Sequence, residues 1–151
     1  MLMICHVVDA TCYPASSAAV FVLGNSPVNG DGGSCTPFND VKSGIEYCAT
    51  NGPAPDPTDL TITCAVTIIP LAAATLTDSL LPIVGKSITV TTDPASPTAI
   101  VVVSGSLNLN AYAVVSFVKI TLQEGTMTTY FADVPPLATL TLSEVIANSF
   151  T

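Results

Sequence analysis

The chain has 151 residues, of which 49% are hydrophobic and only 9% charged, and its net charge is −8. The length suits one domain with a sizeable core, and so apolar a composition excludes the disordered class, which is marked by low hydrophobicity and high charge. With three lysines and no arginine it lacks the cationic surface that nucleic acid or an anionic membrane requires; its longest apolar runs, Ala18 to Gly24 and Ala99 to Val103, fall far short of the ~18 residues of a membrane span.

In chain order, residues 1–19 define no element. The opening MLMICHVVDATC is apolar like a secretion signal, but it has no basic start, and His6 and Asp9 interrupt it. From Val20 an apolar run leads to a loop, Asn25 to Pro37, rich in Gly, Pro, Asn and Asp. Thr36 and Pro37 have the residue types of a helix cap and first turn. Phe38, Val41, Ile45 and Cys48 then recur at helical spacing. A short amphipathic helix is predicted over about 37–50, stopped by Asn51, Gly52 and Pro53.

A Pro-rich connection, 51–59, follows. Everything after it reads as β-structure, with strands predicted at 60–68, 74–78, 87–92, 99–103, 106–110, 115–125, 128–132 and 140–150. These segments are rich in Val, Ile, Leu and Thr and are separated by Pro, Gly, Asp and Ser.

The five cysteines include no CxxC pair, and the one histidine is His6, so no zinc site is expected. Disulfides of a secreted protein fit better. An odd count leaves at least one thiol free or paired outside the chain. The pair expected here is Cys35 with Cys48, and Cys64, in the alternating run TITCAV, reads as a buried core thiol.

VSFVKITLQEG (115–125) and LTLSEVIANSF (140–150) carry the same apolar pattern 25 residues apart, with no amphipathic helix between them. Earlier copies fall at offsets of 26 (TITC to SITV) and 27 (Val90 to Phe117). Such a period, with one strand face turned inward, predicts a solenoid of parallel strands roughly 4.8 Å apart. The expected inward ladder is Cys64, Val90, Phe117, Leu142. The same register places Lys119 over Glu144 as an exposed pair on adjacent coils, worth about 0–1 kcal/mol. An antiparallel β-sandwich is the alternative that short, evenly spaced strands also allow. The division expected is therefore a vague segment 1–19 and a β-helix module 20–151, with the helix capping its first core layer. The chain stops at EVIANSFT in mid-pattern, so truncation at the C-terminus is expected.

The order of VFVLGNSPVNGDGGSC, FNDVKSGIEYCATNG, PDPTDLTITCAVTI and LLPIVGKSITV resembles the N-terminal region of right-handed parallel β-helix proteins of the CSLREAI-domain type. These relate to pectate-lyase-like β-helices, polymorphic outer-membrane proteins and adhesins. The matching pieces are Asp31-Gly32, Cys35, the helix Phe38 to Thr50, Asp59 to Ile62, Leu81 to Val84 and Ser87 to Val90. The resemblance implies an all-β, right-handed solenoid with one capping helix, placed outside the cell or on its surface.

It also raises catalysis. Lyases of this shape hold Ca²⁺ with clustered carboxylates and use an Arg or Lys base. Here Lys42, Lys86 and Lys119 are scattered. Hydrolases need two carboxylates about 5–10 Å apart. Asp56 and Asp59 lie in a Pro-rich loop, and Asp78, Asp93 and Asp133 fall at strand ends as turn formers. The loop Asn29 to Ser34 lacks both the acidic ligands of a calcium loop and the Gly-Lys-Ser/Thr of a phosphate loop, so it reads as a turn. A nucleophilic triad would have to use His6. No catalytic, cofactor or metal residue is assigned.

Thr-x-Thr recurs at 61, 75, 89, 126 and 139. A flat threonine array on a solenoid can match ice or sugar surfaces, but these spacings are uneven and do not require one array. The expected function is a non-catalytic, extracellular structural or adhesive module that presents a low-charge face to glycans or proteins and continues into further coils. The alternatives are a polysaccharide lyase or hydrolase whose active site lies on missing coils, and an ice-binding threonine face.

Overall fold

The computed structural model describes residues 11–51, 63–77, 87–125 and 131–148. The first strand, β1 (Ala19–Leu23), precedes a helix, α1 (Val41–Thr50). The remaining strands are β2 (Thr63–Ile69), β3 (Ala74–Leu76), β4 (Ser87–Thr92), β5 (Ala99–Val103), β6 (Leu107–Asn108), β7 (Val114–Val118), β8 (Ile120–Glu124), β9 (Ala132–Asp133), β10 (Thr139–Ser143) and β11 (Ile146–Asn148).

These strands form three sheets, ordered β1-β2-β4-β7-β10, β11-β8-β5-β3 and β6-β9. Every pairing between them is parallel. The protein is therefore mainly β with one short helix, and the antiparallel sandwich that the strand spacing allowed is ruled out. From β4 onward the chain enters the three sheets in turn and then returns to the first. Among the described residues no hairpin joins hydrogen-bonded neighbours, because each strand pairs with a partner one full pass away.

Alternation along each strand makes the core. In β4, Ile88, Val90 and Thr92 are buried while Ser87, Thr89 and Thr91 are only partly covered. Val66, Val90 and Phe117 stand on one another in register and are wholly buried. Phe117 also meets Phe131 at 5.5 Å between ring centres. Leu142 lies over Phe117 but is 51% exposed.

The expected ladder needs one correction. Cys64 stands under Ile88 and Val115, and Val66 takes the place assigned to Cys64. A slip of two residues leaves every side chain on its original face. The apolar pattern alone cannot detect it.

The helix is shorter than predicted. It begins at Val41 with Asp40 as cap, whose carboxylate accepts the Ser43 N–H at 2.7 Å. Thr36 and Pro37 do not start it, because the chain beyond them is still extended. The Phe38 N–H donates to the Phe21 carbonyl, and the Leu23 N–H donates to the Phe38 carbonyl. Val41, Ile45 and Cys48 are buried as their spacing predicts, and Gly44 lets the helix backbone sit against Val20, Val22 and Val66. A Cβ at Gly44 would come within 2.8 Å of Val66.

The disulfides differ from the expected pair. Cys35 bonds Cys12, and Cys48 bonds Cys64. Cys35 lies in the loop beside β1, where the Ser34 N–H donates to the Tyr13 carbonyl and so brings the segment around Cys12 close. Cys48 faces inward from α1 and meets the inward Cys64 of β2, which is therefore no free thiol. Cys5 lies outside the described residues.

The segments 115–125 and 140–150 are not single strands. Lys119 (φ 54°) and Glu144 (φ 53°) take left-handed backbone, which turns the chain from one sheet into the next. Tyr112 (φ 65°) and Leu137 (φ 72°) do the same before β7 and β10. Such backbone costs an L-residue roughly 1–2 kcal/mol, so the stacked sheets must hold it in place.

Phe117→Ala should cost about 3–5 kcal/mol, whereas Leu142→Ala, one layer on and half exposed, should cost about 1 kcal/mol. Urea unfolding of both variants reads the difference, and equal losses would mean that Leu142 is packed in solution as Phe117 is. Replacing Cys48 and Cys64 together by Ser should lower stability by about 3 kcal/mol, the loop-closure contribution of a bridge of this span. Calorimetry with and without reductant checks that value.

Candidate functional site

The outer face of the five-stranded sheet is built by the register. Thr63, Ser87, Val114 and Thr139 form one rank across the strands. Ala65, Thr89, Ser116 and Thr141 form the next. Thr67, Thr91, Val118 and Ser143 form the third. Neighbours within a rank lie roughly 4.8 Å apart, and the ranks repeat roughly every 6.6 Å along the strands. Across β2, β4, β7 and β10 the face carries hydroxyls and methyls and no charged side chain; at the β1 edge Ala19 and Phe21 continue the second and third ranks.

The sequence left this array unassembled because its Thr-x-Thr motifs are unevenly spaced. The spacing is absorbed by corners of different length, while the strands themselves stay in register. Thr63, Thr89, Thr91, Thr139 and Thr141, from three of those motifs, share the face. Thr75 belongs to β3 in the other sheet. Thr61 and the motif at 126–128 lie outside the described residues.

Lys119 and Glu144 occupy equivalent corners, after β7 and β10, but their side chains do not pair. The Lys119 N–H donates to the Ser143 carbonyl, and its ammonium turns back to the Ser96 carbonyl at 3.3 Å. Among the described residues the ion pair is Lys42 with Glu46, on one face of α1 at 3.8 Å. The lysine ammonium is thus held by the loop 93–98 and not by Glu144.

Of the carboxylates considered for catalysis, the two among the described residues, Asp93 and Asp133, belong to different elements. Asp93 accepts the Ala95 N–H at 3.1 Å and closes a corner. Asp133 is exposed on β9. Asp56, Asp59, Asp78 and Lys86 lie outside the described residues, as does His6. Among the described residues no group of three His, Cys, Asp or Glu side chains is placed to hold a metal ion.

Asp31 has a structural task. Its Oδ1 accepts the Thr36 hydroxyl and the Gly33 N–H, at 2.9 Å for the latter. The loop so folded covers the free edge of β1: the Phe21 N–H donates to the Gly32 carbonyl at 2.8 Å. Gly32 has φ 88°, and a Cβ there would strike the Phe38 ring. The Thr36 hydroxyl and the Gly33 N–H hold the Asp31 carboxyl below its ordinary pKa.

A polar cleft of about 390 Å³ opens beside the start of α1, a feature with no sequence signal. It is lined by Asn25, Ser26, Asn39, Asp40, Thr75 and Thr77, with Ala73. Three parts of the chain meet there: the turn after β1, the helix cap and the outermost strand of the second sheet.

No family model, curated protein or solved structure matches this chain. Among the described residues, no helix is long and apolar enough to cross a membrane.

Because the Asp31 pKa is depressed in the folded state, its contribution is present above the ordinary carboxylate pKa and is lost as pH falls through the folded value. Asp31→Asn should therefore lower the melting temperature at neutral pH and flatten the acid side of the stability profile, the two proteins converging below about pH 4 as Asp31 becomes protonated. Melting temperatures of both proteins between pH 2 and 7 give the comparison, and parallel profiles would remove Asp31 from the acid response.

Proposed function

We propose that the chain is a module of a right-handed parallel β-helix, secreted or displayed on a cell surface, with a structural and adhesive role. It presents the outer face of its five-stranded sheet to glycans or proteins. The observation that carries this reading is the set of three in-register, uncharged ranks on that face. The cyclic order of the sheets supports the solenoid, and parallel crossovers are right-handed in about 98% of cases. The sequence of strand, Asp31-Gly32 loop, Cys35, helix and parallel strands is the one that the CSLREAI-type resemblance implies. Two disulfides favour an oxidising compartment.

A second reading uses the same face. Regularly spaced hydroxyl and methyl pairs, free of charge and of aromatic platforms across Thr63 to Ser143, suit ordered water at an ice surface. The alignment of threonines from unevenly spaced motifs favours it over a face of scattered exposed residues.

Ser116→Lys places a charge in the middle rank, at a partly covered position whose side chain points away from the core, so it should alter stability by no more than about 1 kcal/mol. It should abolish retention on neutral insoluble polysaccharide, or on ice if the second reading holds. Freezing-point depression below the melting point separates the two surfaces. Retention unchanged by the added lysine would remove the face from the contact.

A further inference from the structure

We infer that the cleft beside the α1 N-terminus is a binding site for a neutral saccharide. The proposal rests on the adhesive reading but uses a separate surface and narrows its partner to glycan.

The chemistry of the lining sets the ligand class. Asn25 and Asn39 offer amide donors and acceptors, Thr75 and Thr77 offer hydroxyls, and Asp40 offers a carboxylate. Sugar hydroxyls both donate and accept, so they need such a mixture. Asp40 is held in place, since Oδ1 accepts the Ser43 N–H at 2.7 Å and Oδ2 accepts the Ser43 hydroxyl at 2.9 Å. Each oxygen has a further lone pair for a ligand hydroxyl. The helix cap thus presents a fixed acceptor at no added ordering cost.

The lining also excludes other ligands. Among the described residues the lining contains no Lys, so there a uronate or sulfated glycan would meet Asp40 without a counter-charge. That separates this cleft from polyuronate-binding β-helices. Among the described residues it contains no large apolar side chain, which an extended peptide would need for its own side chains. Among the described residues β3 is the last strand of its sheet, and the cleft opens beside it.

The test is titration of the whole chain with neutral oligosaccharides (β-glucan, mannan and galactan fragments), followed by amide chemical shifts, with oligogalacturonate as the anionic comparison. Shifts at Asn39 and Thr75 with a neutral fragment, weakened at least tenfold by Asn39→Leu or Thr75→Val and unaltered by Gln123→Ala, would support the site. Overturning results are binding confined to Thr89 and Ser116, preference for oligogalacturonate, or no neutral fragment bound while the variants stay folded. Nuclear Overhauser spectra of the same sample report contacts between Val90 and Phe117. Loss of those contacts would sink the β-helix itself, and their presence without sugar binding would sink only the cleft.

Discussion

An isolated parallel strand cannot bury its inward side chains, so each strand here depends on the next one in its sheet. Val90 is covered because Val66 and Phe117 lie on either side of it. Fully burying a side chain of this size contributes about 1.5–3 kcal/mol. That gain exists only in register, and it must also hold the left-handed corners at Tyr112, Lys119, Leu137 and Glu144. The corners are local conformations that the residues themselves do not favour. The stacked sheets impose them.

The same dependence makes the ends of a stack vulnerable. At the β1 end the chain supplies two covers. Helix α1 lays Val41, Ile45 and Cys48 over the first apolar layer, and the Cys48–Cys64 bridge ties it to β2. The Asp31 loop supplies backbone partners to the open edge of β1, which would otherwise be a template for another strand. At β10 and β11 the inward positions Leu142 and Ala147 are exposed, Leu142 to 51%. The contrast with Phe117 shows how much of the core's burial comes from having a neighbour on both sides.

With the inward face committed to packing, any recognition falls to the outward positions and to the helix end. Among the described residues charge is kept away from the broad sheet face and falls at corners, on α1 and its cap, in the Asp31 loop, and at Glu124 and Asp133 of the other two sheets. Lys119, Asp93 and Glu144 sit at corners, and Asp40, Lys42 and Glu46 belong to the helix and its cap. The broad face therefore presents neutral hydroxyls and methyls, and the cleft concentrates the groups that can orient a small polar ligand.

The sequence by itself determined the strand-rich character, the helix face of Val41, Ile45 and Cys48, and which side of each strand turns inward. It determined these because period-two and helical patterns are local, and burial enforces both. Tertiary structure decided what those patterns cannot encode. The slip between Cys64 and Val66 preserves the inward face, so only pairing with Ile88 and Val90 fixes it. The helix start moved to Asp40 because Phe38 is held extended by Phe21. Cys35 and Cys48 found other partners because disulfides follow spatial neighbours, not spacing. The threonine ranks and the saccharide cleft were invisible for the same reason: their members come from different passes of the chain and meet only once the sheets have formed.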